Sequence, residues 1–319
     1  MTQRVFGRRA FAISLAAGLA TAGRTTSAII SVMPATRLLR PEDQIYVPPA
    51  SLATVADIYK RMTAPIRVNS QGPFAFVVDT GANQSVISDE LAAHLGFIVG
   101  APEALNGVAG VSMAPTAVVD LGVGRQVQES VTVSILPKSS IGGLGILGLD
   151  RLEGQQLILD FHSQSLRIGA PGSLWHDGTD VFLKAHRRDG QLTLVDADLA
   201  GIPLIAFIDS GAQNTIGNLA LRDLALARDS KQIWLQTPVI SATGQVMSAE
   251  MADLPHLRIG GLKLPNWPVA FADLHTFKMW NLVKRPAILL GVDILSRFQS
   301  VSLDFARNEV RFRLPVVNS

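Results

Sequence analysis

Two segments of the chain, Asp79-Thr80-Gly81-Ala82 and Asp209-Ser210-Gly211-Ala212, carry the same chemistry-bearing pattern 130 residues apart. Each follows an apolar run, Phe76-Val77-Val78 in the first and Ala206-Phe207-Ile208 in the second. A carboxylate at the point where a buried strand gives way to a glycine turn is both exposed and rigidly held. Two such carboxylates held face to face at about 3 Å cannot both ionise, so the pair shares one proton. One member then acts as base and the other as acid, which activates water without a metal or a cofactor. Neither Asp79 nor Asp209 is assigned to either role by the sequence.

One D-[TS]-G is weak evidence, because these are ordinary turn residues. The surroundings strengthen it. Ser88 is placed to cap a helix over Asp89–Leu95 that Gly96 ends, and Asn218 to cap one from Leu219 to Ala227. Further on, Ile146-Leu147-Gly148-Leu149-Asp150 is echoed by Leu289-Leu290-Gly291-Val292-Asp293, and Leu157-Ile158-Leu159-Asp160-Phe161 by Val301-Ser302-Leu303-Asp304-Phe305. The offsets, 130, 143 and 144 residues, grow once and then hold, as insertion in loops would produce. The expected organisation is a first lobe over 61–170, a connection over 171–185 and a second lobe over 186–319.

With these landmarks the chain resembles the retropepsin-like aspartic peptidases, in particular bacterial single-chain forms in which two retropepsin lobes are fused. The resemblance spans residues 61 to 319. It implies a mostly β protein: two homologous pepsin/retropepsin-like β-barrel lobes, related by pseudo-twofold symmetry, each giving one aspartate to a central cleft. It also implies that the Thr80 and Ser210 hydroxyls bond across to the opposite loop, and that Gly148 and Gly291 back the catalytic loops. Gly81 and Gly211 let the backbone pass close to the carboxylates. The expected activity is aspartic endopeptidase, with extended peptide segments of proteins as partners, no cofactor and no metal, in a monomer.

Flap candidates follow each aspartate by some 30 residues. Asn106-Gly107-Val108-Ala109-Gly110 has the strongest hairpin signal in the first lobe, and Ser241-Ala242-Thr243-Gly244-Gln245 takes the equivalent place in the second. Hairpins closing over an extended peptide would pair with its backbone and exclude bulk water. Neither contains the Tyr of the single pepsin flap. Ala82 and Ala212 offer no hydroxyl to stabilise a carboxylate, so activity is expected at mildly acidic to near-neutral pH.

Asp150 with Asp293, and Asp160 with Asp304, are also symmetric aspartate pairs. The first pair starts short apolar helical segments and is read as capping or orienting them, and the second precedes hairpin turns. Gly143-Leu144-Gly145-Ile146-Leu147-Gly148 spells G-x-G-x-x-G without a βαβ unit around it, and its repeat lacks the first glycines. The six His residues have no metal-ligand spacing, and no G-x-S-x-G or P-loop occurs. A cleft that binds peptides with little chemistry is the other class considered; the intact aspartate pair argues against it.

At the N-terminus, Arg8-Arg9-Ala10-Phe11 leads into an Ala-rich apolar stretch to Ala22 without acidic residues. This reads as a twin-arginine export signal over 1–28, with cleavage after Ala22 or Ala28, and a periplasmic destination. Uncleaved, it would be an inner-membrane anchor, the chain's one expected contact with a membrane. Without residues 1–28 the chain loses four arginines and no acid, leaving 24 basic against 26 acidic residues, so no basic tract suggests nucleic acid. The absence of Cys excludes disulfides and thiolate sites. Residues 29–60, with Pro34, Pro41, Pro48 and Pro49, read as an extended arm or linker.

Overall fold

Alternation builds the first strand of the first lobe. Along Met62–Val68 the residues Met62, Ala64, Ile66 and Val68 face inward, while those between face out. Asn69 and Ser70, both at positive φ, turn the chain into the antiparallel partner Gln71–Val78. Its last residues, Phe76, Val77 and Val78, are buried on both faces. This is the computed structural model of the chain. It describes residues 61–314 apart from 108–109, 153, 174–179, 189–190, 195–196, 229–232 and 260–261. Before residue 61 it describes only the backbone of short strands at 13–15, 18–19, 30–32, 50–53 and 55–56. The export signal and most of the arm thus lie outside the described residues.

In each lobe an inner strand lies between two others beneath the aspartate loop. Gly145–Leu147 runs parallel to Phe76–Val78 and antiparallel to Val86–Ile87. Ala287–Leu290 does the same with Ile205–Ile208 and with Ile216–Gly217. A strand with neighbours on both edges and apolar packing on both faces cannot slide without exposing its side chains, so the loop that leaves it is fixed. The helix after each loop forms as expected. Asp89–His94 is capped by the Ser88 hydroxyl, which accepts from Leu91 N at 3.0 Å, and Gly96 follows at φ 65°. Leu219–Arg228 is capped by Asn218 Oδ1, which accepts from Leu221 N at 2.9 Å.

The lobes join through a shared sheet in the order Asp180–Arg188, Glu309–Arg313, Ser300–Asp304, Gln156–Asp160, Ser165–Gly169, Ala50–Ala53. At its centre Ile158 pairs with Ser302, its own repeat equivalent, while Gln156 pairs with Asp304 and Asp160 with Ser300. An element that pairs with its own repeat copy about a central residue defines a local twofold axis. The chain is therefore a two-lobe, mostly β fold. The stretch read as a connection already contains the start of a strand of this sheet, Asp180–Arg188, which pairs with Glu309–Arg313 and, further along, with Gln191–Leu194. Asp160 accepts from Ser163 N at 2.8 Å, and Asp304 from Arg307 N at 2.9 Å and Gly172 N at 2.9 Å, so both order turns as expected.

Gly148 and Gly291 stand where each inner strand passes the loop. A Cβ at Gly148 would lie 2.6 Å from the Gln84 carbonyl carbon and 2.9 Å from the Ala82 oxygen; one at Gly291 would lie 2.6 Å from the Asn214 carbonyl carbon. These neighbours are backbone and cannot rotate away. Gly148→Ala and Gly291→Ala should each lower stability by about 1–3 kcal/mol through overpacking, read as a lower urea midpoint at unchanged slope.

Candidate active site

Each aspartate is held first by its backbone. Asp79 N donates to Leu147 O at 3.0 Å, and Asp209 N to Leu290 O at 3.0 Å, so each continues the bonding of its inner strand by one residue. The glycine turn then folds back on the carboxylate. Asp79 Oδ1 accepts from Gly81 N at 2.9 Å, and Asp209 Oδ1 accepts from Gly211 N at 3.1 Å and Ala212 N at 3.0 Å. The other oxygen of each, Oδ2, is buried and meets no protein donor. The two carboxyl groups approach closely enough for a hydrogen bond between them. Gly211 is needed for that approach, since a Cβ there would fall 2.2 Å from Asp79 Cγ.

The lobes are locked at this point. Thr80 N donates to Ser210 Oγ at 2.9 Å and Ser210 N donates to Thr80 Oγ1 at 3.0 Å. Each hydroxyl also donates to the carbonyl preceding the opposite aspartate, Thr80 Oγ1 to Ile208 O at 3.0 Å and Ser210 Oγ to Val78 O at 2.8 Å. Thr80 and Ser210 therefore do what the resemblance implies. Ala82 and Ala212 are fully buried, and their carbonyls accept from Leu149 N and Val292 N behind the loops.

A second layer corrects the reading of Asp150 and Asp293. Gly148 and Gly291, not the aspartates, occupy the cap positions of the short helices Leu149–Arg151 and Val292–Leu295. Asp293 Oδ1 does accept from Ile294 N of its own helix at 2.9 Å, but both carboxylates also turn back toward the loop. Asp150 accepts from Ser85 Oγ at 2.9 Å, and that oxygen accepts from Gly148 N at 3.1 Å. Asp293 accepts from Thr215 Oγ1 at 2.8 Å, and that oxygen accepts from Gly291 N at 3.1 Å. A buried amide that already lacks a sheet partner takes a hydroxyl, and the hydroxyl needs an acceptor in turn. Ser85 and Thr215 escaped notice in the sequence, although they sit 130 residues apart and differ by one methyl, the same signature as Thr80 and Ser210.

Both flap candidates are hairpins. Gly107 pairs with Gly110 and Asn106 with Val111, while residues 108–109 at the tip lie outside the described residues. In the second lobe Ile240 pairs with Val246, and the Ser241 oxygens order the turn, Oγ accepting from Thr243 N at 3.0 Å and the carbonyl from Gly244 N at 2.9 Å. Leu105, Ala114, Val239, Ala242 and Ala249 of the two hairpins join one apolar cluster with Val77, Ile146, Phe207 and Leu289. Both hairpins thus pack against the inner strands that carry the aspartate loops. The second reaches the opposite lobe, where a Cβ at Gly244 would lie 3.2 Å from Ser140 Oγ.

These features define the class: a two-lobe aspartic fold with one D-[TS]-G-A loop from each lobe meeting at a buried carboxyl pair. A family model described as aspartyl protease matches residues 64–151 and 195–294, one span per lobe and together more than half the chain. The chain belongs to the aspartyl protease family. No curated protein matches it.

Burial pushes the Asp79 carboxyl up to about 6, with the Gly81 N–H and then the Arg61 guanidinium acting the other way. Asp209 is raised well above its ordinary range, by burial first and the neighbouring Asp79 charge second. In the unfolded chain both would ionise near 4. The native state therefore holds more protons than the unfolded one as pH rises from about 4, and stability falls over that range. The protonated pair's contribution is complete below pH 4 and is lost as pH climbs through 6. Asp209→Asn should remove much of this dependence. Its unfolding free energy relative to wild type should rise between pH 4 and pH 8, measured by urea denaturation at each pH. A difference constant across that range would contradict the raised values.

Proposed function

We propose that the chain is an aspartic endopeptidase that hydrolyses peptide bonds of exported proteins at the Asp79/Asp209 dyad. The observation that carries this reading is the pair of inward Oδ2 atoms. They are buried and without protein donors, and the two lobes supply one each. A shared proton and a water are what such a pair lacks. Water oxygen attacks the scissile carbonyl carbon while its proton passes to the ionised carboxyl and the proton of the other carboxyl passes to the carbonyl oxygen. The resulting gem-diol collapses as the C–N bond breaks. The nitrogen takes a proton from the carboxyl that received one from water, and a gem-diol hydroxyl returns its proton to the other. Carboxylic acid and amine leave, and the dyad regains its single proton.

On this reading the two hairpins act as flaps that close over an extended peptide and meet its backbone by strand pairing. Both half-sites lie in one chain, which supports action as a monomer. The Arg8-Arg9 segment supports export to the periplasm by the twin-arginine route, with membrane attachment only if the signal is retained. The test is cleavage of a denatured protein mixture from pH 4 to 8, with Asp79→Asn, Asp209→Asn and a statine-type inhibitor. Wild type should cleave, and each variant and the inhibitor should abolish it. The value of kcat/KM should rise with an apparent pKa near 6, as the first proton leaves the pair, and should hold toward neutrality. Activity that survives either substitution would overturn the dyad. A profile confined below pH 5 would overturn the pH assignment.

A further inference from the structure

The two half-sites are near copies, so the places where they differ decide which carboxyl does what. Thr80 against Ser210, Gln84 against Asn214 and Ser85 against Thr215 are exchanges of like polar groups. One difference is of charge. In the first lobe Thr63 pairs with Val77, and in the second Thr193 pairs with Phe207. Continuing either register by two residues places Arg61 opposite Asp79 and Gln191 opposite Asp209. Residues directly opposite in an antiparallel pair share a face. The register thus assigns the position opposite one aspartate to an arginine, and the same position opposite the other to an uncharged residue, Gln191.

Arg61 is fully buried, among the largest side chains to be so in the described residues. Its Nη2 donates to Ile141 O at 3.0 Å, at the end of the helix Lys138–Ile141. A guanidinium keeps its charge under burial, whereas a lysine would tend to lose it. The matching region of the second lobe is apolar: Phe207, which stands where Val77 stands in the first, stacks on Trp280 at 4.2 Å between ring centroids. The other charged groups nearby are engaged elsewhere. Lys138, on the helix that holds Arg61, turns outward to Glu90 at 2.7 Å. Asp150, with Arg151 acting on it, takes the Ser85 hydroxyl, and Asp293 takes Thr215 and Trp267 Nε1. The charged groups acting most strongly on Asp79 are Arg61 and Asp209, and on Asp209 it is Asp79.

We propose that Arg61 breaks the equivalence of the dyad, keeping the negative charge on Asp79 and the shared proton on Asp209. On the reading given under the proposed function, Asp79 is then the base that takes the proton from water, and Asp209 is the acid that protonates the carbonyl oxygen. Arg61 does not touch the reacting atoms; it is a positioning residue for charge. The direction of the shifts agrees, since Arg61 lowers Asp79 while Asp79 raises Asp209.

The test separates this assignment from peptidase activity. In Asp209→Asn the one remaining dyad carboxyl is Asp79, and in Asp79→Asn it is Asp209. Each is titrated by NMR of 13Cγ-labelled aspartate, with and without Arg61→Gln, in variants whose folding is checked by amide dispersion. Arg61→Gln should raise the titration of Asp79 by about one pH unit and move that of Asp209 by much less. In the otherwise intact enzyme, Arg61→Gln should move the acid limb of kcat/KM upward by a similar amount, a tenfold loss on that limb, with a smaller loss at the optimum. Equal shifts of both aspartates, or no shift of either, would each overturn the proposal. The NMR arm reads Asp79 and Asp209 whether or not the chain cleaves protein, so inactivity of wild type would count against the peptidase reading alone.

Discussion

Two carboxyl groups buried against one another are a constraint that the rest of the molecule must meet. Left to themselves they would separate or draw in water, because a desolvated carboxylate facing another is unfavourable whichever of them ionises. Four hydrogen bonds between Thr80 and Ser210 and the strand ends beside the aspartates prevent separation. Each such bond is worth about 1 kcal/mol net, yet breaking one would also strand a buried amide or carbonyl, so the loops move together or not at all.

The lock works only because each loop is rigid before the lobes meet. Asp79 and Asp209 leave strands that are bonded on one side to Leu147 and Leu290 and buried on both faces. Behind them the Ser85–Asp150 and Thr215–Asp293 pairs satisfy the amides of the two backing glycines. Those glycines have no Cβ because the loop backbone occupies its place. At the far side, the shared sheet pairs Ile158 with Ser302 and so sets the lobes about the same twofold relation that the loops require. Two distant contacts that obey one symmetry leave the lobes little freedom to rock, which keeps the carboxyl pair at hydrogen-bond distance.

Much of this was legible in the chain because repetition doubles every local signal. The caps Ser88 and Asn218, the apolar runs into each aspartate and the backing glycines could be matched copy to copy, and each pair confirmed its partner in the fold. Asp150 and Asp293 were read only in part, for a physical reason. An aspartate at a helix start looks like a cap in sequence, and only the tertiary approach of Ser85 and Thr215 turns it inward. Arg61 escaped for the opposite reason: matching repeats rewards what agrees, and Arg61, whose repeat equivalent is Gln191, is where the copies disagree. The sequence of 1–60 reads as signal and arm, but its relation to the cleft falls outside the described residues.

Symmetry and chemistry pull such a site in different directions. A twofold arrangement is the simplest way to bring two equal carboxyls together, but acid and base catalysis needs them unequal at the moment water attacks. A proton that moves freely between equivalent oxygens would sample both assignments, and only one suits a peptide of fixed polarity in the cleft. A chain with two separately encoded lobes can keep the loops matched while varying what lies one strand away. Arg61 is such a variation: it leaves the lock, the glycines and both aspartates alone, and it acts through charge, which reaches further than contact in a buried site. Fusing the half-sites in one chain thus permits a preference between the carboxyls that two identical subunits could not encode.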